Sequence, residues 1–170
     1  SDLKAMLSEN YPEVEYIDCD TPGVSAARNK GATVAKSKYL AFLDDDTIPS
    51  KDWLDKLSKR MEADKRIAAV TGLVLPAEIE TDAQARMEAL GGFNGGFVAR
   101  WILPATSKKD EVFRHLDFPK LGVGSQLLVK REIFEAIAGF DQSIGAGLGI
   151  DCEDYDFYSR LVDSGHVLIY

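Results

Sequence analysis

The sequence predicts an α/β fold built on a mixed, mainly parallel sheet flanked by helices. Three observations carry this. Through residue 76, strand-like and helix-like patterns alternate, the order that produces parallel strands joined by helical crossovers. Residues 39–43, Tyr-Leu-Ala-Phe-Leu, form an unbroken apolar run, the pattern of a strand covered on both faces. Regular patterns return after residue 121, with strand, helix, helix and strand in succession.

The elements follow in order. Residues 2–9 place Leu3, Met6 and Leu7 on one helical face, and Tyr11-Pro12 ends that helix. Residues 14–17 are a short strand candidate, followed by a turn at Asp20, Pro22 and Gly23. A small-residue helix is expected over 24–35, then the apolar strand. Ser50 is placed to cap a helix whose apolar face is Trp53, Leu54, Leu57 and Met61. Residues 67–75 are another strand, ended by Pro76. Residues 77–121 read differently. A helix at 82–90 precedes the stretch GGFNGGFVARW and a polar segment with Lys108-Lys109-Asp110-Glu111, together an irregular loop region. A strand is then expected over 123–129, a helix over 131–138 ended by Gly139, a glycine-rich loop at 145–149, a helix over 151–164 and a strand over 166–170. The chain reads as one domain in three parts, 1–76, 77–121 and 122–170.

Composition excludes several function classes. The 170 residues suffice for one domain with its own core. The formal net charge of -8, with no basic run to offset it, disfavours nucleic acid and anionic membrane surfaces as partners. No apolar stretch has the length of a transmembrane helix, and no signal-peptide pattern opens the chain. The expected location is the cytoplasm, with any membrane association arising through parts of a longer parent protein. Cys19 and Cys152 are far apart and have no metal-site spacing, so both are expected as reduced thiols. His115 and His166 have no second histidine nearby and are read as structural.

The chemistry-bearing residues are carboxylates. Asp44, Asp45 and Asp46 follow the most apolar strand, and ligands of open α/β sheets bind outside the carboxyl ends of strands. Three adjacent carboxylates repel one another, which a divalent cation relieves, and oxygen-only ligands favour Mg²⁺, Mn²⁺ or Ca²⁺. In an extended chain Asp44 and Asp46 point to one side and Asp45 to the other. The alternative is a solvated acidic loop that caps the next helix. Far downstream, Glu153, Asp154 and Asp156 open a helix just after the glycine-rich loop. A helix N-terminus favours ionised carboxylates, so one of them can act as a base; the alternative is a plain N-terminal cap by Asp151 and Asp154. Phe93, Phe97 and Trp101 either stack on a bound sugar ring or anchor the long loop. Gly122-Val-Gly124 before Ser125-Gln126 is no dinucleotide fingerprint, because the third glycine is missing and a strand follows.

Two blocks together carry a resemblance. GVSAARNKGATVAKSKYLAFLDDDTIPSKDWL resembles the nucleotide-sugar half of family 2 glycosyltransferases, and GVGSQLLVKREIFEAIAGFDQSIGAGLGIDCEDYDFYSRLVDSGHVLIY resembles their acceptor half. The resemblance implies the GT-A fold of nucleotide-diphospho-sugar transferases. It implies that Asp44 lies near the nucleotide, that Asp46 coordinates Mn²⁺ or Mg²⁺ at the diphosphate with Asp44, and that Asp45 assists. Arg28 and Asn29 match an Ala-Arg-Asn element near the nucleotide, where they either contact it or brace the aspartate loop. Asp154 matches the general base, with Glu153 as the second choice. The implied reaction is inverting transfer from a nucleotide-sugar donor to a carbohydrate or lipid-linked acceptor, with no enzyme nucleophile and the metal as Lewis acid.

The same resemblance implies a domain truncated at the N-terminus, since the family's opening strands, which hold the nucleotide base, have no counterpart here. It therefore predicts weak nucleotide binding by this chain alone, and an exposed sheet edge inviting self-association. Two other function classes remain open: a catalytically silent carbohydrate- or nucleotide-binding domain of the same fold, and a nucleotidyltransferase.

Overall fold

A computed structural model describes residues 2–93, 96–105 and 121–170. The expectations for Lys108-Lys109-Asp110-Glu111 and for His115 lie outside the described residues. Six helices and five strands are described: α1 (Asp2–Asn10), α2 (Val24–Val34), β1 (Tyr39–Leu43), α3 (Trp53–Glu62), β2 (Ile67–Val70), α4 (Asp82–Ala89), β3 (Trp101–Ile102), β4 (Gln126–Lys130), α5 (Arg131–Ala136), α6 (Glu153–Asp163) and β5 (Val167–Ile169). Among the described residues no helix is long and apolar enough to cross a membrane.

The strands form one sheet in the order β1-β4-β2-β5-β3. Only β2 and β5 pair in parallel; β4 runs antiparallel to both β1 and β2, and β3 runs antiparallel to β5. The sheet is mixed, as expected, but its described pairings are not mainly parallel. The physical reason is insertion. The α3 crossover does leave β1 and β2 pointing the same way, and β4 then enters between them in the opposite direction. Alternation in the sequence reports strand direction, and a later strand decides adjacency. The carboxyl ends of β1 and β2 therefore share one end of the sheet with the start of β4, and that end carries the site.

Alternation along β4 divides the core. Leu127 and Val129 face one layer, with Phe134 of α5 and Phe157, Tyr158 and Leu161 of α6; Leu128 faces the other, with Leu57 and Met61 of α3. The first layer holds an aromatic stack in which the Phe140 and Phe157 rings lie 4.6 Å apart and Phe42 meets Phe134 and Phe140 at 5.4 Å. Such contacts add to the area that aromatic side chains bury.

Several local expectations change. Residues 14–17 form no strand: Val14 N–H closes a turn on the Tyr11 carbonyl, and Val14 is exposed. β1 is not covered on both faces: Ala41 and Leu43 are exposed, and β1 is an edge strand with β4 as its one described partner. Asp44 N–H donates to the Ser125 carbonyl and Arg131 N–H to the Lys38 carbonyl. By the antiparallel alternation, Tyr39, Ala41 and Leu43 turn their backbone groups to the outer edge, where no described strand meets them. Ser50 does not cap α3 with its side chain, since its hydroxyl donates to Asp52; its carbonyl accepts Trp53 N–H instead. β2 ends at Val70 rather than residue 75. Region 77–121 contains β3, a strand the irregular-loop reading missed. Arg60 and Arg66 lie against the Trp101 ring at 5.3 and 5.7 Å, so Trp101 anchors this segment.

Candidate active site

At the carboxyl ends of β1 and β2 lies an open cleft of about 1030 Å³. Its polar lining includes Arg28, Asp44, Asp46, Ser125, Glu153 and Asp154, brought together from four separate stretches of chain, with Lys56 and Asp151 also present. Arg28 organises them. Its Nη2 donates to Asp44 Oδ1 at 2.7 Å and to the Gly124 carbonyl at 3.3 Å, and its Nη1 donates to Glu153 Oε1 at 2.8 Å. Only 10% of the Arg28 side chain and 11% of that of Glu153 remain exposed, against 34% for Asp44. Burial opposes the guanidinium charge, but the Asp44 and Glu153 carboxylates outweigh it and hold Arg28 above its ordinary value.

Arg28 is itself supported from behind. Its guanidinium lies 5.2 Å from the Phe140 ring centroid. Asn29, the next residue on α2, spends its whole amide on Phe140: Nδ2 donates to the Phe140 carbonyl at 2.8 Å, and Oδ1 accepts Phe140 N–H at 2.9 Å. Asn29 does not line the cleft. Asn29 thus braces the Phe140 backbone, and through it the ring behind Arg28, rather than the aspartate loop.

The aspartate triplet forms a turn, not an extended segment. Thr47 N–H and its hydroxyl both donate to the Asp44 carbonyl, at 3.2 and 2.7 Å. Asp44 and Asp46 line the cleft, and Asp45, expected to assist them, does not. Asp46 is exposed, whereas Asp44 already gives one oxygen to Arg28. Among the described residues no trio of Asp, Glu, His or Cys side chains converges on a point. Two carboxylates at a cleft mouth fit the hard-cation pattern in which one or two carboxylates hold the metal and substrate phosphates complete the shell.

Glu153 and Asp154 diverge in role. Glu153 is committed to Arg28. Asp154 Oδ2 accepts Gly124 N–H at 2.7 Å and Oδ1 accepts Tyr155 N–H at 2.8 Å, so the carboxylate is held without a cationic side-chain partner among the described contacts. Burial pushes the Asp154 carboxyl up; the Tyr155 and Gly124 N–H groups pull it down, and the neighbouring Glu153 charge adds to the rise. Asp156 is structural: it pairs with Arg160, whose other nitrogens donate to the Ile137 and Gly139 carbonyls. No side chain caps α6; Cys152 sits at its N-cap in a left-handed conformation, φ 82°. The glycine-rich loop packs on the start of α2. Ser25 donates to the Ile144 carbonyl at 2.8 Å, and a Cβ on Gly145, φ 122°, would sit 3.0 Å from the Ser25 hydroxyl.

Three contributors were missed by reading the sequence. Gly124, set aside with a failed fingerprint, touches both Arg28 and Asp154 through its backbone. Trp53, read only as apolar helix face, donates its indole N–H to Gln126 Oε1 at 2.5 Å, and Gln126 Nε2 donates to the Leu73 carbonyl at 2.9 Å. The one available signal was a glutamine heading the otherwise apolar strand Gln-Leu-Leu-Val.

Comparisons with known proteins point to one family. The family model described as Glycosyl transferase family 2 matches residues 2–137. The match spans Arg28, the aspartate triplet and Gly124, and stops before α6, so the placement of Asp154 stands on geometry. A glucosyl-dolichyl phosphate glucuronosyltransferase of Haloferax volcanii is 24% identical over 132 residues, covering 78% of this chain and 39% of that protein. A pre-mycofactocin glycosyltransferase of Mycobacterium tuberculosis is 26% identical over 148 residues, 87% of this chain and 28% of that protein. An uncharacterised glycosyltransferase of Methanocaldococcus jannaschii is 26% identical over 140 residues, 82% of this chain and 41% of that protein. The chain thus spans well under half the length of these curated relatives. With the family model matching most of its length, and with a GT-A type mixed sheet whose carboxyl-end cleft gathers the matched residues, the chain belongs to glycosyl transferase family 2.

Proposed function

We propose that this chain forms the catalytic face of an inverting glycosyltransferase that moves a sugar from a nucleotide-sugar donor to an acceptor hydroxyl. The observation that carries the reading is one cleft with Asp44 and Asp46 at the carboxyl end of β1 and Asp154 at the start of α6. Asp154 takes the acceptor proton as the acceptor oxygen attacks the anomeric carbon and the bond to the diphosphate breaks. Because that is a single displacement, no enzyme nucleophile is needed. A divalent cation bound through Asp46 and the second oxygen of Asp44 would supply positive charge to the leaving diphosphate. Arg28 keeps the Asp44 and Glu153 charges compensated and holds the two walls of the cleft in register.

The test is to offer the full chain a panel of sugar nucleotides with Mn²⁺ or Mg²⁺. Release of nucleoside diphosphate is expected. Release of pyrophosphate would replace this reading with nucleotidyl transfer, and donor binding without any release would leave a silent binding domain.

Gly124→Ala gives a local test of the geometry. The added Cβ would lie 2.8 Å from Asp154 Cβ, too close for both to stay in place. A shift of the base of up to about 1 Å is expected to lower turnover by up to about 10²-fold. Steady-state kinetics checks this, with the melting temperature showing that the fold persists.

A further inference from the structure

Three consecutive residues leading into β4 each fasten a different wall of the cleft. Gly124 N–H donates to Asp154 of α6, and its carbonyl accepts from Arg28 of α2. The Ser125 carbonyl accepts Asp44 N–H at 3.0 Å, just past β1. Gln126 Oε1 accepts the Trp53 indole N–H of α3, and its Nε2 donates to the Leu73 carbonyl on the segment leaving β2. The first two ties use backbone atoms of this segment. Gln126 supplies the side-chain tie, since the Ser125 hydroxyl has no partner among the described residues.

Gln126 is out of character for its strand. Leu127, Leu128 and Val129 are apolar and buried, and Gln126 itself is only 8% exposed. A buried amide costs free energy unless it is hydrogen-bonded, so packing alone would be served equally well by an apolar residue. Alternation puts Gln126 on the face of Leu128, toward α3. The backbone leaving β2 lies close against it: a Cβ on Gly72 would sit 3.1 Å from Gln126 Oε1 and 3.2 Å from Nε2. The amide is thus a spacer held at both ends. We propose that Gln126, fastened by Trp53, is a positioning residue: it fixes the start of β4 against α3 and the exit of β2, and Gly124 and Ser125 pass that position to Asp154 and Asp44. The role rests on the transferase reading above, because it governs turnover only if those two carboxylates act there.

Three variants of the full chain test this: Gln126→Leu, Trp53→Phe and the two combined. Gln126→Leu leaves the Trp53 indole N–H unpaired, Trp53→Phe leaves Gln126 Oε1 unpaired, and the double variant removes both groups. The urea midpoint of the double variant is therefore expected above that of either single one. Turnover is not expected to follow. Displacement of the base should lower kcat about tenfold in Gln126→Leu and in the double variant, with KM for the sugar nucleotide within about twofold of wild type. A double variant that regains wild-type kcat along with its stability would show a structural tie only. A raised KM at unchanged kcat would make Gln126 a substrate contact instead. Either result overturns the positioning role. A second readout needs no turnover. The carboxyl-carbon resonance of Asp154 is expected to shift in both single variants, of which Gln126→Leu leaves the indole ring in place. Its absence from either one overturns the inference. If the wild type releases no nucleoside diphosphate while the resonance shifts in both, the transferase reading falls and the positioning of Asp154 by Gln126 stands.

Discussion

Asp154→Asn is expected to lower nucleoside diphosphate release by the full chain by about 10²- to 10⁴-fold, the range that a positioned general base supplies. Asn keeps the size of the side chain and loses the capacity to take a proton. Donor binding should be little changed, since in the proposed mechanism Asp154 meets the acceptor hydroxyl and not the donor. The sign of the pH dependence follows from burial. Asp154 must be ionised to act, and burial raises its carboxyl above the ordinary value. Activity should therefore climb with pH through that raised value, with its acid limb lying above that of an ordinary aspartate. For stability the sign is opposite. A folded-state value raised above the unfolded one contributes stability below the unfolded value, and that contribution is lost as pH rises through the folded one. The pH profile of kcat/KM and thermal melting across the acid range measure the two effects. A wild-type-like rate in the Asn variant would remove Asp154 from the mechanism.

Arg28→Met is expected to destabilise the fold by about 3 kcal/mol, the low end of the range for orphaning a buried charge. The low end applies because Asp44 is partly exposed and its charge stays screened, while Glu153 is buried and carries most of the cost. Arg28→Lys should recover less than half, since a single ammonium cannot fork between Asp44, Glu153 and the Gly124 carbonyl. Adding Glu153→Gln to Arg28→Met should recover stability, because it removes the orphan rather than a second contact. The double variant would then be strongly non-additive. Urea unfolding of the wild type, Arg28→Met, Arg28→Lys, Glu153→Gln and the double variant measures this. A cost below about 1 kcal/mol for Arg28→Met, the level of an exposed pair, would mean that the pair is solvent-screened and does not organise the cleft.

Arg28 and Asn29 show how far reading the sequence reaches. Their adjacency pointed to a shared place near the aspartate loop; Arg28 is there, bonded to Asp44, whereas Asn29 bonds Phe140. On a helix, though, consecutive side chains diverge by about 100°. Arg28 consequently faces the cleft, while Asn29 faces the Phe140 backbone and holds the ring that backs Arg28. Glu153 and Asp154 diverge for the same reason. Adjacent in sequence, one goes to the cation and the other to the N–H groups of Gly124 and Tyr155. Spacing places a pair of residues, and only the neighbours that pack against them assign the roles.

The sequence by itself determined the α/β class, the bounds of β1, α2 and α6 to within a few residues, and the candidates Asp44, Asp46, Glu153 and Asp154, which line the cleft. These depend on local periodicity, turn residues and chemistry, all written within short windows. Tertiary structure decided the rest. The insertion of β4 between β1 and β2, the short β3 on β5, the Gly124 link to Asp154 and the Trp53–Gln126 link to Leu73 join residues far apart in the chain. No local window contains both partners of such a contact. Which strand fills a gap, and which backbone N–H meets which carboxylate, is settled only when the layers pack.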